Sequence, residues 1–135
     1  MVLRLVLVRH GLSTFNKKGL IQGRTDKSYL TKEGFLQAKL TGDALNEITF
    51  DKIYSSPLLR ASETAKEIEK CLNSNHNIEY DEKLLEVDLD KWSGLAIKEI
   101  KTKYKESYQL WKNDPENLCI KRNDDTIYQP IQDLF

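Results

Sequence analysis

Apolar residues lead the chain as Val2-Leu3 and Leu5-Val6-Leu7-Val8, broken by Arg4 and ending at Arg9-His10-Gly11. A short Val/Leu run bounded by glycine predicts a strand over 2–8, buried on both faces at the centre of a parallel or mixed sheet. The run is too short to span a bilayer. It lacks a basic leader and a small-residue cleavage site, so it does not read as a signal peptide. Residues 11–30, with Gly11, Gly19, Gly23 and many polar side chains, read as a long loop. Loops of that length are usually functional or disordered.

Thr31 opens a helix. Its hydroxyl can cap the amide of Glu33 or Gly34, and Glu33 suits the positive end of the dipole. Leu36, Leu40, Ala44 and Ile48 recur every fourth residue and predict the buried face of that helix. Lys52–Ser55 reads as a second strand. Ser56-Pro57 then starts a second helix, with Pro57 where a missing N–H costs nothing and with Leu58, Ala61, Ala65, Ile68 and Leu72 as its apolar stripe. A polar turn over 73–77 carries His76, read as an exposed loop histidine. Ile78–Tyr80 is a third strand, and Leu84–Gly94 is irregular. Ile97, Ile100, Tyr104, Tyr108 and Trp111 form a core-facing helical stripe that stops before Pro115. Strand, helix, strand, helix, strand is an α/β order, with helices on both faces of the sheet. In the tail, Pro130 starts a short amphipathic helix with Ile131, Leu134 and Phe135 on one face. Two turns are hard to stabilise alone. The tail therefore reads as an element cut short, in preference to a terminal helix docked on the body.

Composition narrows the class. A chain of 135 residues has room for one domain, 1–135. Hydrophobic content of 39% with 31% charged residues reads as soluble and globular. The formal net charge is +0, which argues against a nucleic-acid partner held on a broad basic surface. Cys71 and Cys119 lie far apart without metal-ligand spacing, and Cys71 reads as a small buried or half-buried side chain. No disulfide framework is implied, which fits a reducing, cytoplasmic setting.

Three places carry candidate chemistry. Arg9-His10-Gly11 follows the first strand at once, and ligand sites in open α/β sheets gather at the carboxyl ends of strands. Gly11 lets the backbone turn and approach a ligand. Arg60 falls in the first turn of the second helix, where a cation is disfavoured unless an anion sits there. It reads equally as a surface arginine offset by Glu63. Glu86 stands among Leu84, Leu85 and Val87, where a carboxyl can have its pKa raised as a general acid requires. On its own it reads better as a solvated loop glutamate. Lys17, Lys18 and Arg24 read as solvated loop cations in preference to substrate contacts.

In order and spacing, the chain resembles the histidine phosphatase superfamily, also called the phosphoglycerate mutase-like family. The resemblance is carried by Arg9-His10-Gly11, Thr14, Asn16, Gln22-Gly23, Asp26, Leu30-Thr31, Gly34 and Gln37-Ala38. It continues through Ser55-Ser56-Pro57-Leu58, Arg60-Ala61, Thr64-Ala65, Leu85-Glu86 and Trp92-Ser93-Gly94. It implies a three-layer α/β/α sandwich with a mainly parallel central sheet, incomplete at the carboxyl end. It also implies a phosphomonoester phosphatase in which neutral His10 becomes a phosphohistidine. Arg9 and Arg60 would clamp phosphoryl oxygens, with Asn16, Gln22 and Gly23 completing the phosphate site. Glu86 would protonate the leaving oxygen and then deprotonate water. No metal or cofactor is needed, because the cationic cradle stabilises the charge. The partner implied is a small phosphorylated metabolite, with no nucleic acid and no membrane.

The chain departs from the family in three places. Leu12 replaces a frequent acidic residue, and Asp90 a frequent glycine. The family's second histidine, followed by glycine or asparagine on a later strand, has no counterpart, since His76 lies in the wrong context. A core slice is expected to be missing with it, so an isolated 1–135 piece would aggregate, form a homodimer or swap strands. A phosphoglycerate mutase, dependent on 2,3-bisphosphoglycerate, is the alternative. Such mutases resemble one another in an Arg-His-Tyr-Gly segment after the acid glutamate, whereas here Val87-Asp88-Leu89-Asp90 follows Glu86. A catalytically impaired phosphate-binding module is the further alternative.

Overall fold

The computed structural model describes residues 2–73, 77–122 and 126–128. His76 and the tail from residue 129 lie outside them. The element order is α1 (Thr14–Lys18), α2 (Lys32–Leu45), β1 (Ile53–Ser55), α3 (Leu59–Glu69), β2 (Ile78–Tyr80), α4 (Ile97–Lys103), α5 (Lys105–Asn113), β3 (Ile120–Lys121) and β4 (Ile127–Tyr128). Strands β1 and β2 pair in parallel across α3, with Ile53 opposite Ile78. This is the pairing of a β-α-β unit, and the fold is α/β as the element order predicts. The sequence pattern left residues 116–128 unassigned, and there β3 and β4 form a small antiparallel hairpin.

The segment 2–8 departs from expectation. It is neither in a ladder nor buried: Leu7 is 84% exposed, and Val2, Leu3 and Leu5 are similarly open. Among the described residues no strand lies beside it, so the Val/Leu pattern meets no partner. The loop after it is also less plain than expected. Ser13 accepts from the Asn16 amide and caps α1, and Gly19 closes α1 in the left-handed region, φ 65°.

Helix α2 starts where Thr31 predicts, its hydroxyl accepting from the Gly34 amide at 3.0 Å. Its buried face is not the expected one. Leu36 and Leu40 are 55% and 59% exposed, and Ala44 is exposed as well. The buried positions are Gly34, Ala38 and Gly42. Helices α2 and α3 approach too closely for larger groups: a Cβ on Gly42 would lie 2.8 Å from Cys71 Cβ. Small residues spaced by four thus decide which side faces inward.

Helix α3 begins at Leu59, two residues beyond Pro57, and its N-cap Leu58 offers no side-chain bond. Asp26 does that work from the long loop, accepting from the Leu59 amide at 2.8 Å. The single helix expected over 97–111 breaks at Tyr104 (φ −126°, ψ 41°) into α4 and α5. Ile100, Tyr108 and Trp111 of the expected stripe face a core, whereas Ile97 and Tyr104 are exposed. Ile100 is buried with Ile21, Leu89, Trp92, Leu118 and Ile120, and Tyr108 and Trp111 pack against them. Trp111 meets Trp92 edge to face at 5.6 Å. No described helix is long and apolar enough to cross a membrane.

The tightest packing is between backbones. A Cβ on Gly34 would overlap the Leu12 carbonyl oxygen, and one on Gly11 would overlap the Gly34 carbonyl oxygen. Backbone atoms cannot swing aside as a side-chain end can. Gly34→Ala is therefore expected to destabilise the fold by about 1–3 kcal/mol, as overpacking does. A urea-unfolding midpoint equal to the parent's would show that the close approach is not kept in solution.

Candidate active site

The tripeptide Arg9-His10-Gly11 is pinned from two sides. The Gly11 amide donates to Thr64 Oγ1 at 3.0 Å, and Thr64 Oγ1 donates to the Arg60 carbonyl at 2.7 Å. One threonine thus ties the His10 loop to the helix that carries Arg60. On the other side the Leu12 amide donates to Gln37 Oε1, and the Leu12 carbonyl accepts from both the amide and the hydroxyl of Thr31.

His10 is half-buried. Its Nδ1 lies 2.8 Å from the Gly11 carbonyl. A carbonyl can only accept, so Nδ1 carries the proton and Nε2 of the neutral ring presents a lone pair. Gln22 Nε2 stands 3.5 Å from that lone pair. Burial lowers the His10 pKa from its ordinary 6.5, and the positive charges of Arg60 and Arg9 push the same way. The Gly11 hydrogen bond and the Glu86 charge oppose them. On balance the neutral form of the ring is favoured more than in an ordinary imidazole.

Arg60 is not the surface arginine that pairing with Glu63 would make it. It is 2% exposed, and Glu63 instead accepts from the Leu30 amide at 2.8 Å. The Arg60 guanidinium donates to the Gly23 carbonyl at 2.9 Å and to the Thr25 carbonyl at 3.3 Å. Its Nε is buried without a hydrogen-bond partner. Burial lowers its pKa, while the charges of Glu86 and Asp26 work against that. A buried cation hydrogen-bonded to carbonyls, with one N–H unmatched, is a place where an anion is favoured. Gly23, at φ 52°, takes the left-handed turn that presents its carbonyl, and a side chain there would press on the Leu89 amide.

Gln22 and Asn16 meet at Ser13. Ser13 Oγ lies 2.6 Å from Gln22 Oε1 and 2.9 Å from Asn16 Oδ1. Arg9 is exposed, and its charge reaches His10. Glu86 is exposed, and its charge reaches both His10 and Arg60. Its Oε1 accepts from the Val87 amide at 3.1 Å. The structure therefore gathers His10, Arg9, Arg60, Gln22, Gly23, Asn16 and Glu86 around one region. Among the described residues His10 is the only histidine, and no group of His, Cys, Asp and Glu is arranged to hold a metal ion.

Several contributors escaped the sequence pattern. Arg24 is no solvated loop cation: its Nε donates to the Glu86 carbonyl at 2.8 Å, joining the two loops. Ser93 Oγ donates to the Gln22 carbonyl, and the amides of Ile21, Gly94 and Ile97 zip residues 19–21 to 94–97. Ser28, fully buried, donates to Gln22 Oε1 at 2.7 Å. The only available signal was for Ser13, whose Ser-x-x-Asn spacing marks a helix cap.

The chain is similar to known proteins in sequence and in fold. The chain is 44% identical over 132 residues to a probable 2-carboxy-D-arabinitol-1-phosphatase of Arabidopsis thaliana, covering 98% of this chain and 26% of that protein. It is 36% identical over 117 residues to phosphoserine phosphatase 1 of Hydrogenobacter thermophilus, covering 87% and 54%. The solved structure described as Bacillus stearothermophilus YhfR matches with a TM-score of 0.77 at 30% identity, over 84% of this chain and 55% of that one. The chain thus spans between a quarter and about half of the length of these relatives. A family model for the histidine phosphatase superfamily, branch 1, matches residues 5–126, nearly the whole chain, and the chain belongs to that superfamily.

Proposed function

We propose that the chain carries the nucleophile side of a phosphomonoesterase working through a phosphohistidine on His10. The observation that supports this most is a half-buried imidazole whose Nδ1–H is held by the Gly11 carbonyl and whose Nε2 lone pair faces the Gln22 amide, beside a buried guanidinium with an unmatched N–H. In the first step Nε2 attacks phosphorus, a P–N bond forms and the ester P–O bond breaks. Glu86 gives its proton to the departing alkoxide oxygen. In the second step water attacks phosphorus and loses a proton to Glu86, the P–N bond breaks, and inorganic phosphate leaves. Arg9 and Arg60 neutralise the phosphoryl oxygens, and Asn16 and Gln22 add neutral donors. Gly23 serves through its carbonyl, which holds Arg60 in place. The chemistry combines covalent catalysis by His10 with acid–base catalysis by Glu86 and electrostatic stabilisation by the cations.

The relatives' names suggest the substrate class, small phosphorylated metabolites such as phosphoserine or 2-carboxy-D-arabinitol 1-phosphate. Hydrolysis of these and of an aryl phosphate is expected to outrun isomerisation of 3-phosphoglycerate in the presence of bisphosphoglycerate. Exclusive isomerisation would assign the mutase reaction instead.

Acid-labile phosphate is expected on the parent after incubation with a phosphate donor, and none on His10→Ala. Equal labelling of both would remove His10 as nucleophile. Arg60→Ala is expected to lower kcat by about 10²–10³, the usual cost of one preorganised donor; a kcat within twofold of the parent's would exclude the clamp.

The pH dependence has a definite sign. Below the His10 pKa the ring is protonated, Nε2 loses its lone pair and attack stops. Because that pKa lies below 6.5, the acid limb of kcat/KM is expected below the value of an ordinary imidazole. A limb at or above 6.5 would contradict a buried, cation-flanked nucleophile.

A further inference from the structure

The Gln22 amide could face His10 with either end. Its oxygen and its NH2 group have opposite effects on a neighbouring lone pair. Oxygen would repel the lone pair of Nε2 and would stabilise a protonated ring instead. The NH2 group would donate to the lone pair and favour the neutral ring.

Two buried serines settle which end turns inward. Ser13 and Ser28 are both 0% exposed. Each already accepts a backbone N–H, Ser13 from Asn16 at 3.1 Å and Ser28 from Phe15 at 3.4 Å. Backbone donors have no alternative orientation, so each hydroxyl has its proton left to give. Gln22 Oε1 receives both, at 2.6 and 2.7 Å, which fills its two lone pairs. Ser13 divides its single proton between Gln22 Oε1 and Asn16 Oδ1. Among the described residues Ser28 has no acceptor besides Gln22. Turning the amide round would put NH2 hydrogens against two hydroxyls and leave both hydroxyl protons without that oxygen, in a place water does not reach.

We propose that Ser28, assisted by Ser13, is a positioning residue that locks the Gln22 amide with its oxygen inward and its NH2 group toward His10 Nε2. The lock keeps a neutral donor aimed at the nitrogen that attacks, and at the phosphoryl group once it is there. Its effect on rate rests on the reading of His10 as nucleophile. Its effect on the ring does not.

The charged groups bearing on His10 are Arg60, Arg9 and Glu86. They are unchanged in the variants below, so they cancel in each comparison. The experiment is an NMR titration of the His10 imidazole in the 135-residue chain, alongside the kcat/KM pH profile. Ser28→Ala frees the amide to turn, so that its oxygen accepts from the protonated ring. The His10 pKa is expected to rise by about 0.5 units or more, since a hydrogen bond to the charged form favours it, and the acid limb moves with it. Gln22→Met tests the same orientation without touching the serines. Loss of a donor to the lone pair raises the His10 pKa, and loss of an acceptor lowers it. A rise in Gln22→Met supports the lock, and a fall overturns it whether or not Ser28→Ala folds. In a folded Ser28→Ala, an unchanged His10 pKa also overturns it. So does an equal shift when Ser28→Ala is made in the Gln22→Met background, because a merely structural serine would act without the amide. If the parent neither turns over substrate nor takes phosphate on His10, the phosphatase reading fails while the titration still decides the lock.

Discussion

Everything at the candidate site depends on how closely the backbone around Gly11 approaches its neighbours. The His10 loop lies against the first turn of α2 at a separation that leaves no room for a Cβ on Gly11 or on Gly34. At that range the loop's polar groups find partners at once, in Thr31, Gln37 and Thr64. Thr64 extends the constraint to α3 and so to Arg60. Two helices therefore hold the His10 loop and Arg60 in a fixed relation through short hydrogen bonds, with little left to the side chains' own freedom. A preorganised electrostatic site needs this, because donors that must reorganise during the reaction lose their advantage.

The second half of the region rides on a different body. Glu86 and the carbonyl of Gln22 belong to loops laid over the core of Ile21, Leu89, Trp92 and Ile100. The bonds of Arg24, Ser93 and residues 94–97 form the seam between that core and the loop reaching Arg60. Separation between His10 and Glu86 is thus a property of the seam. This explains why residues so far apart in sequence share one electrostatic environment.

Much of the fold was legible because local rules were obeyed. Thr31 caps α2, strands stand at 53–55 and 78–80, and Ile100, Tyr108 and Trp111 face a core. Misreadings came where tertiary contacts overrode local pattern. In α2 the large apolar residues advertised one face, yet packing density favoured Gly34, Ala38 and Gly42 on another. Helix α3 has its cap in Asp26, far back in the chain, which no window around Pro57 contains. At the site, His10 and its glycine could be recognised by position, and the resemblance collected Arg60, Gln22 and Glu86. Arg60 taken alone was ambiguous, since burial and carbonyl partners decide its meaning and neither is written in its neighbours. Ser28 left no mark at all, being one serine in a polar loop.

The open segment 2–8 carries a cost in the cell that its place in the fold does not show. It emerges from the ribosome before any element described after it, rich in β-branched and leucine side chains and low in charge. Such windows are prone to cross-strand association while they wait. Arg4 interrupts the run and Arg9 bounds it, the arrangement of gatekeeper residues that keep an obligatory sticky strand from finding a stranger first. Arg4, exposed and in the middle of the run, thus answers to the chemistry of the unfolded chain as much as to that of the folded one.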